Sequence, residues 1–186
     1  MSGIAPVLQE IDSYLGLMCE ILREELSPRL AGHFCKTLGA AISHVLLDGG
    51  PVRWFDISDA TLVEQDIDMT ESMFFADGDG IDSDSIEKLL KPATDVVEVM
   101  AMDTGTIISR LKEAKKHPLS TYSQGKDDPD ILLRVLCHRK DHSASKYLKK
   151  EYKIQKKLPS IISTSVSKSF SRTPTKGMTR VAAVSS

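Results

Sequence analysis

A chain of 186 residues, 41% apolar and 5% aromatic, has the length of one ordinary domain or of a domain with a tail, and enough apolar content for a core. So few aromatic residues argue against an all-β sandwich, whose strands favour them. The net charge is only −2 but is unevenly placed: residues 56–103 carry 14 acidic and 2 basic side chains, and residues 131–186 carry 13 basic and 2 acidic ones.

Cys19, Cys35 and Cys137 are odd in number and widely spaced, which is no disulfide framework. The N-terminal residues show no positive region leading into an apolar core, so no secretory signal is read. Charges interrupt the apolar patterns every few residues, and no membrane span is expected. The expected compartment is the cytosol.

The first predicted helix covers residues 4–26. Pro6 suits a first-turn position, where its missing donor costs nothing. Ile4, Val7, Leu8, Ile11, Leu15, Met18, Leu22 and Leu26 recur at helical spacings and define one face. Ser27-Pro28 starts a second helix with Leu30, Phe34, Leu38, Ala41, Ile42 and Val45 on its face. It ends at the turn Asp48, Gly49, Gly50, Pro51. Either glycine can take the left-handed conformation that closes a last turn, and Pro51 cannot continue a helix. A stop this firm between two apolar-faced helices reverses the chain.

Val52-Arg53-Trp54-Phe55 then reads as an apolar plug for the end of a bundle. Ser58 or Asp59 caps a third helix whose face is Val63, Ile67, Thr70 and Phe74, with acidic residues early, where the helix dipole favours them. Ala76-Asp77-Gly78-Asp79-Gly80 ends it. Asp82 or Ser83 opens a fourth helix through Ile86, Leu89, Leu90, Ala93, Val96, Val97 and Met100, and Pro92 within it is expected to kink or divide it near Lys91. Asp103-Thr104-Gly105 interrupts, and Ile107, Ile108 and Leu111 continue on a fifth helix with Lys112, Lys115 and Lys116 toward its end. Residues 117–129 form a polar loop. Asp128 or Asp130 opens a sixth helix, and Asp141 or Ser143 opens a seventh that reaches Tyr152, with Ala144, Tyr147, Leu148 and Tyr152 on its apolar side. From Leu158 the composition turns to Ser, Thr, Lys and Pro, which cannot offset its own ordering entropy, so a disordered tail is expected. There is no internal repeat and no convincing strand. The expected fold is all-α: an antiparallel bundle or rod of six or seven helices over residues 1–157, with a basic tail over 158–186.

The acidic run from Asp77 to Glu87 imitates a calcium loop but fails its register. Gly80 at the sharp-turn position puts Phe75 and Ile86 where the first and last ligands belong. A start at Asp77 puts Asp82 in the glycine position and Lys88 in the position of the bidentate glutamate. His33 with Cys35, and Cys137-His138 with His142, lack the paired spacing of a zinc site. Buried thiols and ordinary surface histidines account for them. No Gly-x-Ser-x-Gly elbow, Walker sequence or dinucleotide fingerprint is present. No enzyme, metal or cofactor is therefore expected. The basic run Lys146, Lys149, Lys150, Lys153, Lys156 and Lys157, interleaved with Tyr147, Leu148, Tyr152 and Ile154, leaves three readings open. It can contact anionic lipid or an acidic partner, it can simply be solvated, or it can serve nucleic acid, the weakest of the three. Ser171-Arg172-Thr173-Pro174 has the form of a phosphorylation site, a short pattern that chance often produces.

Four blocks occur in order: Val45-Leu46-Leu47-Asp48-Gly49-Gly50-Pro51; Phe74-Phe75-Ala76-Asp77-Gly78-Asp79-Gly80; Leu132-Leu133-Arg134-Val135-Leu136-Cys137-His138-Arg139; and Ala144-Ser145-Lys146-Tyr147-Leu148-Lys149-Lys150-Glu151-Tyr152. Together they resemble the C-terminal part of the plant UNC-thirteen-like proteins, whose MUN domain closes with a second Munc homology domain. The resemblance covers about residues 4–158. It implies an all-helical rod segment that is not an enzyme and works in membrane traffic, promoting vesicle tethering and SNARE-dependent exocytosis. The implied partners are the preceding helices of a longer MUN rod and SNARE or tethering proteins, with an anionic membrane surface and self-association as further expectations. The implied location is cytoplasmic and peripheral to the plasma membrane or vesicles. Family members are longer, and most of the SNARE-engaging rod is absent from this sequence. The alternative is a small helical interaction adaptor, or an inactive fragment, with no membrane role.

Overall fold

A computed structural model describes residues 3–49, 53–116 and 125–154. Among them are seven α-helices: α1 (Ala5–Ile21), α2 (Ser27–Asp48), α3 (Asp59–Phe75), α4 (Ser83–Ala101), α5 (Thr104–Lys116), α6 (Pro129–His138) and α7 (His142–Tyr152). The expected all-α class is what forms. The 158–186 tail, with Val52 and most of the 117–129 loop, lies outside the described residues.

Start signals fall where short polar side chains can bind free backbone donors. The carboxylates of Asp82, Asp128 and Asp141 accept from the N–H groups of Ser85, Asp130 and Ala144 and open α4, α6 and α7. Asp103 accepts from the Thr106 N–H at 2.9 Å and opens α5. Between α3 and α4 the backbone of Ala76 and Asp77 turns left-handed, and a Cβ on Gly80 would stand 2.1 Å from the Phe74 carbonyl. Only glycine fits there.

The core is built on α4, whose Ile86, Leu90, Ala93, Val96, Val97, Val99 and Met100 are buried. α3 lies antiparallel along one side of it and presents Ala60, Ile67, Thr70 and Phe74. α2 packs on another side and runs parallel to α4. A Cβ on Gly39 would meet the Leu89 carbonyl at 3.1 Å, which shows how closely these two backbones approach. α6 presses Leu132, Val135 and Leu136 between α4 and α5, and α7 closes the group through Ala144, Tyr147 and Leu148.

Several expectations are corrected. The first helix stops at Ile21: Leu22 is extended, and a short 3-10 turn at Glu24–Leu26 leads into α2. The buried face of α2 is Cys35, Leu38, Gly39 and Leu46, while Ala41 and Val45 are exposed, because α4 approaches one residue around the helix from the predicted stripe. By length and apolar composition Glu24–Asp48 does reach the measure of a membrane-crossing helix, contrary to expectation, and here it serves as the core neighbour of α4. Pro92 does not divide α4, which runs unbroken from Ser83 to Ala101. Its ring lies on the exposed side, where water can reach the Lys88 carbonyl that loses a donor.

The C-terminal ends of α2 and α4 emerge together, and each leaves carbonyls without helical partners. Gly49 does not close α2 in the expected left-handed way; its φ is −64°. Glycine is needed there for space, since a Cβ would stand 2.5 Å from Arg53 Cδ and 2.6 Å from the Val45 carbonyl. Gly50 and Pro51 lie outside the described residues. The carbonyls are met by imported donors. Arg53 donates to Val45, and the His138 ring nitrogens lie 2.9 Å from the Leu47 carbonyl (Nε2) and 2.9 Å from the Arg53 carbonyl (Nδ1). His138 is thus no ordinary surface histidine. A neutral ring donates to one of these two acceptors, and only the protonated ring donates to both. Arg139, 2% exposed, directs Nη2 at the carbonyls of Val99, Met100 and Met102 at the end of α4. Phe55 N–H donates to the His138 carbonyl at 3.0 Å, which seats the expected Phe55 plug in the same corner.

Arg139→Met keeps most of the apolar stem and removes the fork, stranding buried carbonyls, so a loss of about 3 kcal/mol is expected in urea unfolding. Arg139→Lys should recover only part of it, because an ammonium lacks the planar spread of donors. A loss under about 0.5 kcal/mol for Arg139→Met, the level of an ordinary surface substitution, would refute the capping role.

Candidate functional site

Lys146, Lys149, Lys150 and Lys153 all stand on the exposed side of α7, opposite Ala144, Tyr147 and Leu148. The separation follows from helical spacing once Asp141 fixes the start of the helix at 2.7 Å from the Ala144 N–H. Lys156 and Lys157 lie outside the described residues. α7 ends at Lys153, which takes a left-handed φ of 57°, and the Ile154 N–H reaches back to the Leu148 carbonyl at 3.3 Å. Asp48, the first residue of the predicted turn, pairs with Arg134 at 2.7 Å and with His44 at 2.9 Å, so that turn is structural.

The fold enlarges the basic face. Lys112 lies 5.7 Å from the centroid of the Tyr147 ring, and Lys115 lies 4.0 Å from that of Tyr152. Residues 112 and 115 thus follow 147 and 152 in the same direction, and α5 and α7 are parallel. Exposed lysines line both helices: Lys112 and Lys115 on α5, and Lys146, Lys149, Lys150 and Lys153 on α7. Lys116 is tied to Glu113 at 3.0 Å. Contact with the Tyr152 hydroxyl pushes the Lys115 ammonium pKa upward, so its charge is held more firmly. Tyr147 and Tyr152 meet edge to face, with centroids 6.2 Å apart, and form an apolar floor beneath the Lys112 and Lys115 ammonium groups. Both helices direct C-terminal carbonyls toward this end, where positive side chains are favoured. Sequence reading saw the α7 lysines and the α5 lysines separately. What joins them is the direct packing of α7 along α5, which no local pattern encodes.

The chemistry of the remaining candidates is plain. Cys35 is buried, and burial together with the nearby Glu71 pushes its thiol up to about 11, which makes it a poor nucleophile. Cys19 is exposed and Cys137 half-buried. Among the described residues no group of three or more His, Cys, Asp or Glu side chains is placed to hold a metal ion. Two grooves remain. One, of about 420 Å3 between α1, α2 and α3, is lined by Ile4, Val7, Leu38, Ile42, Val45 and Val63 among others. The other, of about 350 Å3, runs between α3 and α4 over a floor of Ile57, Ala60, Ile67, Leu90 and Val97.

A family model described as "PATROL1-like, TPR repeats" matches residues 1–158. A curated protein of Arabidopsis thaliana, "Protein unc-13 homolog", is 32% identical over 155 residues. The match covers 82% of this chain and 14% of that protein, so the chain spans about one seventh of the relative's length. No solved structure matches. Both findings agree with the resemblance to UNC-thirteen-like proteins, while the family description speaks of repeats and not of a MUN domain.

If Tyr152 is the support for Lys115, Tyr152→Ala should speed amide exchange at residues 149–154 by about tenfold, whereas Tyr152→Phe, which keeps the ring, should change it much less. Equal exchange in the alanine variant and the unaltered chain would remove the Tyr152 floor from the description.

Proposed function

Because the chain belongs to the PATROL1-like family of TPR-repeat proteins, we propose that it is a non-enzymatic membrane-trafficking module that presents the α5–α7 lysine face to anionic lipid. The resemblance to MUN-domain proteins supports a place in vesicle tethering and SNARE-dependent exocytosis, at the cytoplasmic side of the plasma membrane or of vesicles. The observation that carries the lipid reading is the packing of two parallel helices that together expose six lysines, two of them over tyrosine rings. An isolated basic helix is readily explained by solvation alone. Two helices that turn their lysines to one side form a plane, the shape a membrane surface requires. Each lysine close to an anionic surface contributes on the order of 1 kcal/mol, so six supply a useful attraction at physiological salt.

Liposome co-sedimentation tests this directly. Vesicles with about one third phosphatidylserine should retain the chain, and vesicles of phosphatidylcholine alone should not. Lys112→Gln and Lys115→Gln, added to Lys146→Gln and Lys149→Gln, should weaken binding by at least about tenfold, the loss of a little over 1 kcal/mol. Binding that is absent, or indifferent to the α5 lysines, would exclude this reading.

A second reading is favoured by α1. Tyr14, Leu17 and Ile21 are 56%, 59% and 81% exposed and recur at helical spacing, so α1 carries an apolar face that the described fold leaves open. In a helical-repeat protein each layer covers the apolar face of its neighbour. On this reading the face docks another helical layer, either one belonging to a longer protein of the family or one from a second copy. Sedimentation should then show concentration-dependent self-association that Leu17→Glu with Ile21→Glu abolishes. A wild-type chain that stays monomeric at millimolar concentration would count against self-association through α1.

A further inference from the structure

We propose that the groove between α3 and α4 is the seat of this chain's own basic C-terminal segment, residues 168–180. The groove joins two features that rarely serve the same ligand. Its floor is apolar, through Ile57, Ala60, Ile67, Leu90 and Val97, and its rim carries Glu64, Asp68, Glu71, Glu87 and Glu98 with no lysine or arginine among the lining residues. Glu98 is engaged by Lys126 at 2.7 Å, and Glu71 accepts a long bond from the Ser83 hydroxyl at 3.4 Å. Glu64, Asp68 and Glu71 follow each other at spacings of four and three, which sets them along one edge of α3. A complementary ligand is an extended or helical strip that alternates cations with apolar groups.

Such a strip is written in the chain. From 163 to 179 every odd-numbered residue is Ser, Thr or Gly, and the even-numbered residues from 168 to 180 are Lys168, Phe170, Arg172, Pro174, Lys176, Met178 and Arg180. In an extended segment a period of two puts one set on each side. One side then alternates positive and apolar groups without exception, and the other is uniformly small and polar. Pro174 argues against a helix through this stretch and suits an extended one. Residues 155–186 contain six lysines and arginines and no acidic residue, so nothing within the segment competes for its charge.

The dimensions agree. Glu87 to Ala101 spans about 21 Å of helix, room for about seven extended residues. Phe170 and Pro174, or Pro174 and Met178, would rest on the floor with the neighbouring cations at the carboxylate rim. Residues 155–167 can extend to about 45 Å, nearly three times the length of α7, which gives the segment a long tether from Ile154. A tether of that length also holds the segment at millimolar effective concentration, which lets modest contacts suffice. This inference is independent of the membrane reading, which uses the opposite charge and other helices.

Zero-length carbodiimide coupling of the full chain, read by peptide mass spectrometry, decides it. The expected products in the monomeric fraction are amide links from Lys168 or Lys176 to Glu64, Asp68, Glu71 or Glu87, and they should fall about tenfold in 0.5 M salt. Arg172→Glu with Arg180→Glu leaves both coupling lysines in place and should suppress the same links, and adding Glu64→Lys with Asp68→Lys should restore coupling from Lys168 or Lys176 to Glu71 or Glu87. Three results would each overturn the proposal: no such links in the monomer, links spread evenly over carboxylates elsewhere such as Glu10 and Glu20, or links found only in covalent dimers. The last would make a second copy the occupant.

Discussion

Two parallel helices, α2 and α4, deliver their C-terminal carbonyls to the same end of the molecule, and the fold depends on what receives them. Carbonyls of this kind carry partial negative charge and cannot be left buried without donors. His138 and Arg139, adjacent in the chain, divide the task, the first taking the end of α2 and the second the end of α4. Because they sit at the corner between α6 and α7, this capping also fixes where the last two helices stand. Asp141, two residues on, caps α7 and accepts the Thr104 hydroxyl at the start of α5. A few consecutive residues thereby tie five helices together. Burial pushes the Arg139 guanidinium pKa downward, and the nearby Asp141, Asp56 and Asp103 oppose that shift, which keeps a charged group tolerable inside the corner.

This corner also organises the charge of the molecule. From it α3 and α4 extend as an antiparallel pair whose outer groove is acidic, while α5 and α7 extend as a parallel pair whose outer face is basic. Among the described residues, the acidic 56–103 region supplies the groove between α3 and α4, and the basic residues of α7 lie on the face of another helix. Apolar groups lie beneath charges in both places: tyrosine rings under Lys112 and Lys115, and isoleucine, leucine and valine under the carboxylates. That layering suits contact with an amphipathic or interfacial ligand better than simple solvation, which needs no apolar floor.

α1 is the exception to the tight packing. Ile4 and Leu8 are buried near the end of α2, yet the helix becomes progressively exposed toward Ile21. A helix held firmly at one end and bare at the other is the expected boundary of a stacked helical array, where a neighbouring layer would continue the burial. The chain spans about one seventh of the curated relative's length.

The sequence by itself determined the elements. Helical periodicity placed the seven helices seen among the described residues, and three starts were narrowed to Asp82 or Ser83, Asp128 or Asp130, and Asp141 or Ser143, of which the aspartates at 82, 128 and 141 are the caps, because caps and amphipathic spacing are local and need no distant partner. The ordered blocks that resemble UNC-thirteen-like proteins agree with the family found by comparison. What only the tertiary structure decided concerns partners far apart in the chain. The rotated face of α2 follows from where α4 lies. The nearness of the α5 and α7 lysines follows from α7 packing directly along α5. The turn after Asp48 owes its closure to Arg53 and to His138, whose Nε2 reaches the Leu47 carbonyl across 91 positions. A histidine that reads as an ordinary surface residue in the sequence becomes a cap because its two nitrogens meet two carbonyls that only the assembled fold brings together.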